Sequence, residues 1–195
     1  MAYKLLVGPA IEPLTLADAK RQLNVDQDFT DDDLVIARIT AAARQYAETH
    51  TRSSFITQQW SLVLDAFPGY WTSGGLLFLE HGPIQSIDSI TYLDMSDTLQ
   101  TLPPTDYATD LSGVRGRVEP RFGLVWPVTL PQIGAVTVNF TAGYGATAAS
   151  VPEGLVHWIM LRIGSLYAIR EDASQDGGAM SREDGDLRWR YWISC

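Results

Sequence analysis

The hydrophobic period changes twice along this 195-residue chain, and that change constrains the fold more than any other feature. Residues 1–56 carry helical patterns, residues 57–149 alternate apolar and polar side chains between Gly and Pro turns, and residues 150–172 are helical again. The pattern predicts an α+β fold. Two N-terminal helices and a C-terminal helix form a small helical core, an antiparallel β lobe is inserted between them, and residues 173–195 form an extended arm.

The N-terminal part, residues 1–56, is predicted to hold an arm or strand and two helices. Thr15 followed by Asp18 is typical of a capping box, so a short helix begins there and ends near Asn24. Thr30 is the second predicted cap, and the helix that follows runs to about Thr51. Its predicted buried face consists of Val35, Ile39, Ala42, Ala43 and Tyr46.

The C-terminal core helix begins after Ser150, which forms another capping-box pattern with Glu153. Apolar side chains cover most of its circumference, so we expect partners on more than one side. The second helix of the same chain and a neighbouring subunit are both possible partners. We assign Trp158, Met160 and Tyr167 to packing between subunits.

The arm ends in an unusual sequence that combines aromatic rings and arginines. Residues 174–185 are rich in Gly, Ser and acidic residues, which predicts a flexible tether. Trp, Tyr and Arg are enriched at binding hot spots, so we expect the end to dock on a partner or a sister subunit. Packing against the chain's own core is the alternative. The docking residues are Leu187, Arg188, Trp189, Arg190, Tyr191, Trp192 and Ile193.

Arg115, Arg117 and Arg121 are the only basic residues between positions 57 and 150. One interpretation is a solvated loop; the other is contact with an acidic partner or with DNA passing nearby. In a cyclic oligomer the three arginines of each copy would form a ring of positive charge.

Charge and composition restrict the class of protein. The net charge is −9, which disfavours a dedicated nucleic-acid binder. We expect no membrane span, because the most apolar stretch, residues 155–169, is short and interrupted by polar residues, and no signal peptide. The single cysteine, Cys195, excludes an intramolecular disulfide and is consistent with folding in a reducing cytosol.

The sequence contains no recognisable reaction chemistry, so we predict a protein that is not an enzyme. His50, His81 and His157 lie far apart, and no cysteine pair or histidine pair has metal-ligand spacing. Asp26, Asp28 and Thr30 resemble the start of a calcium loop, but the glycine and the final glutamate of such a loop are missing. The run of aspartates at 31–33 is expected to be a solvated helix N-terminus. We predict no cofactor and no metal.

An ordered set of segments resembles the head–tail connector proteins of tailed phages, also called head-completion or adaptor proteins and sometimes labelled DNA-packaging proteins. The resemblance covers roughly residues 11–171. The segments are Pro13–Lys20, Leu23–Asp26, Asp32–Leu34, Ile39–Glu48, Thr57–Leu62, Gly82–Asp94, Leu102–Tyr107, Val136–Gly145 and Val151–Pro152. The tail beyond Asp172 matches no motif of the family.

The resemblance implies a structural adaptor of the virion. Such proteins form a ring of about twelve copies under the portal, extend the DNA channel and dock the next neck or tail protein, a stopper or tail terminator. Their C-terminal segment reaches the portal. We therefore expect the chain at the head–tail junction of the virion, and in the host cytoplasm during assembly, with genomic DNA passing non-specifically. Another phage module, such as a tail-completion or baseplate protein, is the alternative.

Overall fold

The computed structural model describes residues 1–69 and 75–168. These residues form three α-helices, one short 3-10 helix and eight strands in two antiparallel sheets, which confirms the predicted α+β class. The helices are α1 (Leu16–Gln22), α2 (Asp33–Thr51) and α3 (Glu153–Ala168), and the 3-10 helix is Ala148–Ser150. The strands are β1 (Ala2–Val7), β2 (Gln58–Leu64), β3 (Leu77–Leu79), β4 (Ile84–Leu93), β5 (Leu99–Thr101), β6 (Tyr107–Asp110), β7 (Gly116–Pro120) and β8 (Val136–Ala142).

The chain divides into two compact units. The β unit comprises Met1–Ala10 and Thr57–Tyr144. The helical unit comprises Ile11–Ile56 and, among the described residues, 145–168.

In the β unit, a five-stranded sheet has the order β1-β2-β8-β4-β5 and a three-stranded sheet the order β3-β7-β6. Strand β8 is central and buries every second residue, as a strand with one face in a core must. Val138 and Phe140 of β8, Leu79 of β3 and Val118 of β7 are fully buried in one apolar core that both sheets share. Strand β1 lies at the edge of its sheet, with Leu5 opposite Trp60.

Two glycines follow β8 at positions where a side chain would not fit. Gly143 has a φ of 132°, a conformation that side chains rarely adopt. At Gly145, an added Cβ would come within 2.6 Å of the Ser150 side chain.

In the helical unit, α1 begins as predicted, since the Thr15 side chain accepts a hydrogen bond from the backbone N–H of Asp18. The predicted caps at Thr30 and Ser150 are wrong. Helix α2 starts at Asp33 after Asp32, without a side-chain cap, and the Ser150 hydroxyl bonds Thr147 instead.

The predicted buried face of α2 is right in part. Ala43 is buried and Ile39 and Tyr46 are half-buried, but Val35 and Ala42 are exposed. The buried face also contains three residues that were not predicted, Ile36, Thr40 and Ala47. Thr40 and Thr51 are buried because their hydroxyls donate to carbonyls one turn earlier, those of Ile36 and Ala47 (both 2.8 Å). A pattern based on apolar residues alone could not include these threonines.

Candidate interaction surfaces

Two buried cations, Lys20 and Arg44, hold the helical unit together, and no local sequence pattern predicts that either is buried. The Lys20 amino group donates to the carbonyls of Gln27 (3.1 Å) and Phe29 (2.9 Å) and pairs with Asp33 (2.5 Å). The Arg44 guanidinium pairs with Glu12 (2.7 Å) and Glu48 (2.5 Å). Burial would lower the pKa of Arg44, but hydrogen bonds and charge from the two glutamates raise it above its ordinary value.

These contacts also explain part of the acidic loop before α2. Asp33 neutralises Lys20, and Asp32 accepts a hydrogen bond from the Tyr167 hydroxyl. Among the described residues no group of three His, Cys, Asp or Glu side chains is arranged to hold a metal ion. Two of these aspartates therefore have structural contacts inside the helical unit.

A stack of rings and an arginine joins α2 to α3. The Tyr46 ring is parallel to the rings of His50 (centroids 6.0 Å apart) and Trp158 (5.8 Å), and the Arg162 guanidinium lies 4.5 Å from its centroid. Trp158 is only 7% exposed. The helices are antiparallel, because Trp158 meets Tyr46 whereas Tyr167 meets Asp32.

The three residues assigned to packing between subunits, Trp158, Met160 and Tyr167, can now be located on α3. Trp158 and Tyr167 make contacts inside their own helical unit, and Met160 is half-buried. The outward face of α3 instead carries Glu153, His157, Leu161 and Ala168, all of them exposed, and the half-exposed Gly164.

The three arginines of the β unit have different environments. Arg115 pairs with Glu80 (3.2 Å) and Arg117 with Asp110. Hydrogen bonds from the Ser112 hydroxyl and from Arg117 hold the pKa of Asp110 far below its usual range. Arg121 is exposed and forms no ion pair within residues 1–69 and 75–168. It is the arginine of this group whose charge is most available to a partner.

An exposed apolar loop, residues 121–134 between β7 and β8, follows directly. Phe122, Val125 and Ile133 are almost fully exposed, and Val128 is three-quarters exposed. Exposed apolar patches of this kind mark contact sites between proteins. The sequence analysis missed this loop, although the run Phe122–Val128 has one polar feature at most, its tryptophan N–H.

The inner side of the apolar loop borders a cavity of about 580 Å³. Trp126 stacks on Phe67 with centroids 4.7 Å apart, and its indole N–H donates to the Gly75 carbonyl (2.7 Å). Glu119 and Arg121 are the charged residues among the cavity's described walls. Aromatic and proline walls with one charge of each sign suit the binding of a protein segment.

The histidines are not brought together. His50 stacks on Tyr46, His81 stacks on Trp60 (4.0 Å) and meets the edge of Tyr3 (5.0 Å), and His157 is exposed. The docking residues Leu187–Ile193 lie outside the described part of the chain. Within the described part, no helix has the length and apolar character needed to cross a bilayer.

Comparison with solved structures identifies the class of fold. A chain in the virion of a native gene transfer agent particle matches with a TM-score of 0.78 and 21% identity, covering 98% of this chain and 95% of that one. A chain in the neck of the empty particle, computed with C6 symmetry, matches with a TM-score of 0.78, 22% identity and the same coverage. A chain in the neck of the native particle, computed with C12 symmetry, matches with a TM-score of 0.73 and 21% identity, covering 98% and 94%.

At these identities the likeness establishes a shared fold over nearly the whole length of both chains. No protein-family model matches the chain, and no curated protein matches it in sequence.

Proposed function

We propose that this protein is a structural component of the neck of a tailed phage or phage-like particle, where it forms a ring under the portal. The observation that carries the proposal is the full-length fold match to chains of a particle neck computed with sixfold and twelvefold symmetry. A ring subunit needs two different surfaces that fit each other head to tail. The described residues offer free faces on α2 and α3 and the exposed apolar loop.

Within such a ring the protein extends the DNA channel and docks the next neck protein. The net charge of −9 supports this role, because an acidic channel repels the phosphate backbone of DNA. The apolar loop is suited to the next neck protein, because its large exposed side chains would be unfavourable in water in a finished particle. Arg121 is the residue placed to contact DNA or an acidic partner.

The C-terminal residues Leu187–Ile193 dock on the portal in this proposal. Two arginines and three aromatic rings form a compact anchor, and many weak anchors around a ring add by avidity. This role was proposed from the sequence and rests on the resemblance to the connector proteins.

The proposal is tested by mixing the purified protein with the portal protein of its own particle and imaging by electron microscopy. We expect rings of this chain on the portal. A variant lacking Leu187–Cys195 keeps its circular dichroism spectrum but does not bind the portal. A matched control replaces Leu187–Ile193 by Gly and Ser at full length, and it also fails to bind.

A folded wild-type protein that ignores the portal would contradict the neck proposal. Normal binding of both tail variants would contradict only the role of the tail.

A further inference from the structure

Helix α3 has an unexplained glycine in its middle. Gly164 has no atom of the described chain within 4 Å of the position where a Cβ would stand. A glycine inside a helix is less favourable than alanine, and here no close packing within the chain requires it. Its neighbours on the outward face are Leu161, 41% exposed, and the exposed His157. The glycine therefore leaves a shallow opening in an otherwise ordinary helix surface.

Helix α2 has a matching free face. Leu34 is 63% exposed, and Arg38, Ala42, Gln45 and Thr49 are exposed at helical spacing after it. Arg38 forms no ion pair among residues 1–69 and 75–168. The small Ala42 lies at the middle of this face, between the longer side chains of Arg38 and Gln45.

In a ring, the symmetry axis limits the angle between α3 of one copy and α2 of the neighbouring copy. A rotation of about 30° or 60° for twelve or six copies changes the direction of a helix by no more than that angle. Since α2 and α3 are antiparallel within one chain, the α2 of a neighbouring copy is also close to antiparallel to α3.

One antiparallel register of the two faces pairs similar positions at four of five places. The five pairs in that register, α3 residue first, are Glu153 with Thr49, His157 with Gln45, Leu161 with Ala42, Gly164 with Arg38 and Ala168 with Leu34. The first two pairs are polar, the Leu161 and Ala168 pairs are apolar, and the remaining pair places Arg38 against Gly164. The opening at Gly164 accepts the aliphatic stem of Arg38, whose charge can remain in water.

We infer that the outward face of α3, centred on Gly164, is the ring interface and receives the α2 face of a second copy. This inference rests on the proposed function and adds to it the residues that join neighbouring subunits. It transfers the contact role from Trp158 and Tyr167, which pack within the chain, to the opposite side of the same helix.

The first experiment fills the opening in full-length protein with Gly164→Ala, Gly164→Leu and Gly164→Trp. Because the site is open in the single chain, all three variants fold, and Gly164→Ala raises the melting temperature. Ring assembly on the portal, followed by mass photometry, requires about tenfold more protein for Gly164→Trp, less for Gly164→Leu and little more for Gly164→Ala.

The second experiment tests the pairing directly and does not depend on a large substitution. In a Cys195→Ser background, Leu161→Cys combined with Ala42→Cys forms disulfide-linked oligomers when rings assemble under mild oxidation. The matched control, Leu161→Cys with Thr49→Cys, gives at least tenfold less product, because Thr49 lies about two helical turns from Ala42.

The outcomes separate the two proposals. Two results would overturn this interface and leave the neck function standing, provided that the wild-type protein forms rings. One is ring assembly by Gly164→Trp at the wild-type protein concentration. The other is no excess of the disulfide product of Leu161→Cys with Ala42→Cys over that of its control. A folded wild-type protein that forms no ring on its portal overturns the neck function, and this interface with it.

Discussion

At the scale of single residues, Arg44 connects the segment before α1 to the middle of α2. Its side chain is 6% exposed, and it pairs with Glu12, thirty-two residues earlier, and with Glu48, one turn later on the same helix. Glu48 also accepts a hydrogen bond from the backbone N–H of Phe55 (2.8 Å). One guanidinium thus fixes three parts of the helical unit in place.

We expect Arg44→Ala to lower the free energy of unfolding by about 3–5 kcal/mol, because the change removes a buried cation that pairs with both Glu12 and Glu48. Urea denaturation followed by circular dichroism measures this loss. The matched control is Arg21→Ala, which removes the exposed pair of Arg21 with Asp18 and costs below about 1 kcal/mol. Equal losses for the two variants would show that the buried pair has no special weight.

At the scale of elements, the two predicted N-caps of the N-terminal helices provide a matched pair. Thr15 caps α1, whereas the Thr30 carbonyl only accepts a hydrogen bond from the backbone N–H of Asp33. Thr15→Ala is therefore expected to lower the free energy of unfolding by about 1 kcal/mol, and Thr30→Ala by a few tenths at most. Thermal unfolding of both variants checks the difference, and the reverse order would contradict the assigned helix start.

The two threonines show which helix starts can be predicted from the sequence. The Thr15 signal is local, since the cap and its partner Asp18 are three residues apart. The start of α2 depends on Lys20, which draws the carbonyls of Gln27 and Phe29 and the carboxylate of Asp33 towards α1. Because of these contacts of Lys20 with residues outside α1, α2 begins after Thr30. A local sequence pattern contains no information about such contacts.

For the strands too, local features could be predicted from the sequence, whereas features that depend on distant residues could not. The alternation in residues 135–140 predicted β8, and its inward side chains are buried as expected. The order of the strands, with β8 between β2 and β4, depends on pairings across 44 to 84 residues, as between Tyr92 and Val136 or Gln58 and Ala142. The exposed apolar loop was not predicted, because the local pattern does not show whether an apolar residue between two strands is buried or exposed.

At the scale of the whole molecule, the two changes of hydrophobic period were sufficient for the fold class, because an inserted β segment and a returning helix leave few alternatives. The contact surfaces needed the structure. A helix that is apolar over most of its circumference is expected to have several partners, but its sequence does not show which side contacts which partner. In the structure, the Tyr46–Trp158 stack shows which face of α3 packs against α2.

The distribution of charge leads to a prediction about DNA. The chain has a net charge of −9, and of the three arginines in the β unit only Arg121 lacks an ion pair within the described residues. Phosphate binding requires several free cations, so the one unpaired arginine among the described residues of the β unit is insufficient on a protein of this net charge. We expect the free protein to bind a 30-base-pair duplex with a Kd weaker than about 100 µM at 150 mM salt, measured by fluorescence anisotropy.

At low salt the residual binding should depend on the unpaired Arg121 more than on the paired arginines Arg115 and Arg117. Arg121→Ala is expected to weaken it by at least threefold, whereas Arg117→Ala changes it less, because Asp110 already neutralises Arg117. Micromolar binding at 150 mM salt would contradict a channel that phosphate does not adhere to, and equal effects of the two variants would contradict the distinction between them. In the proposed neck ring, a net charge of −9 on each copy would disfavour adhesion of the passing genome without a moving part.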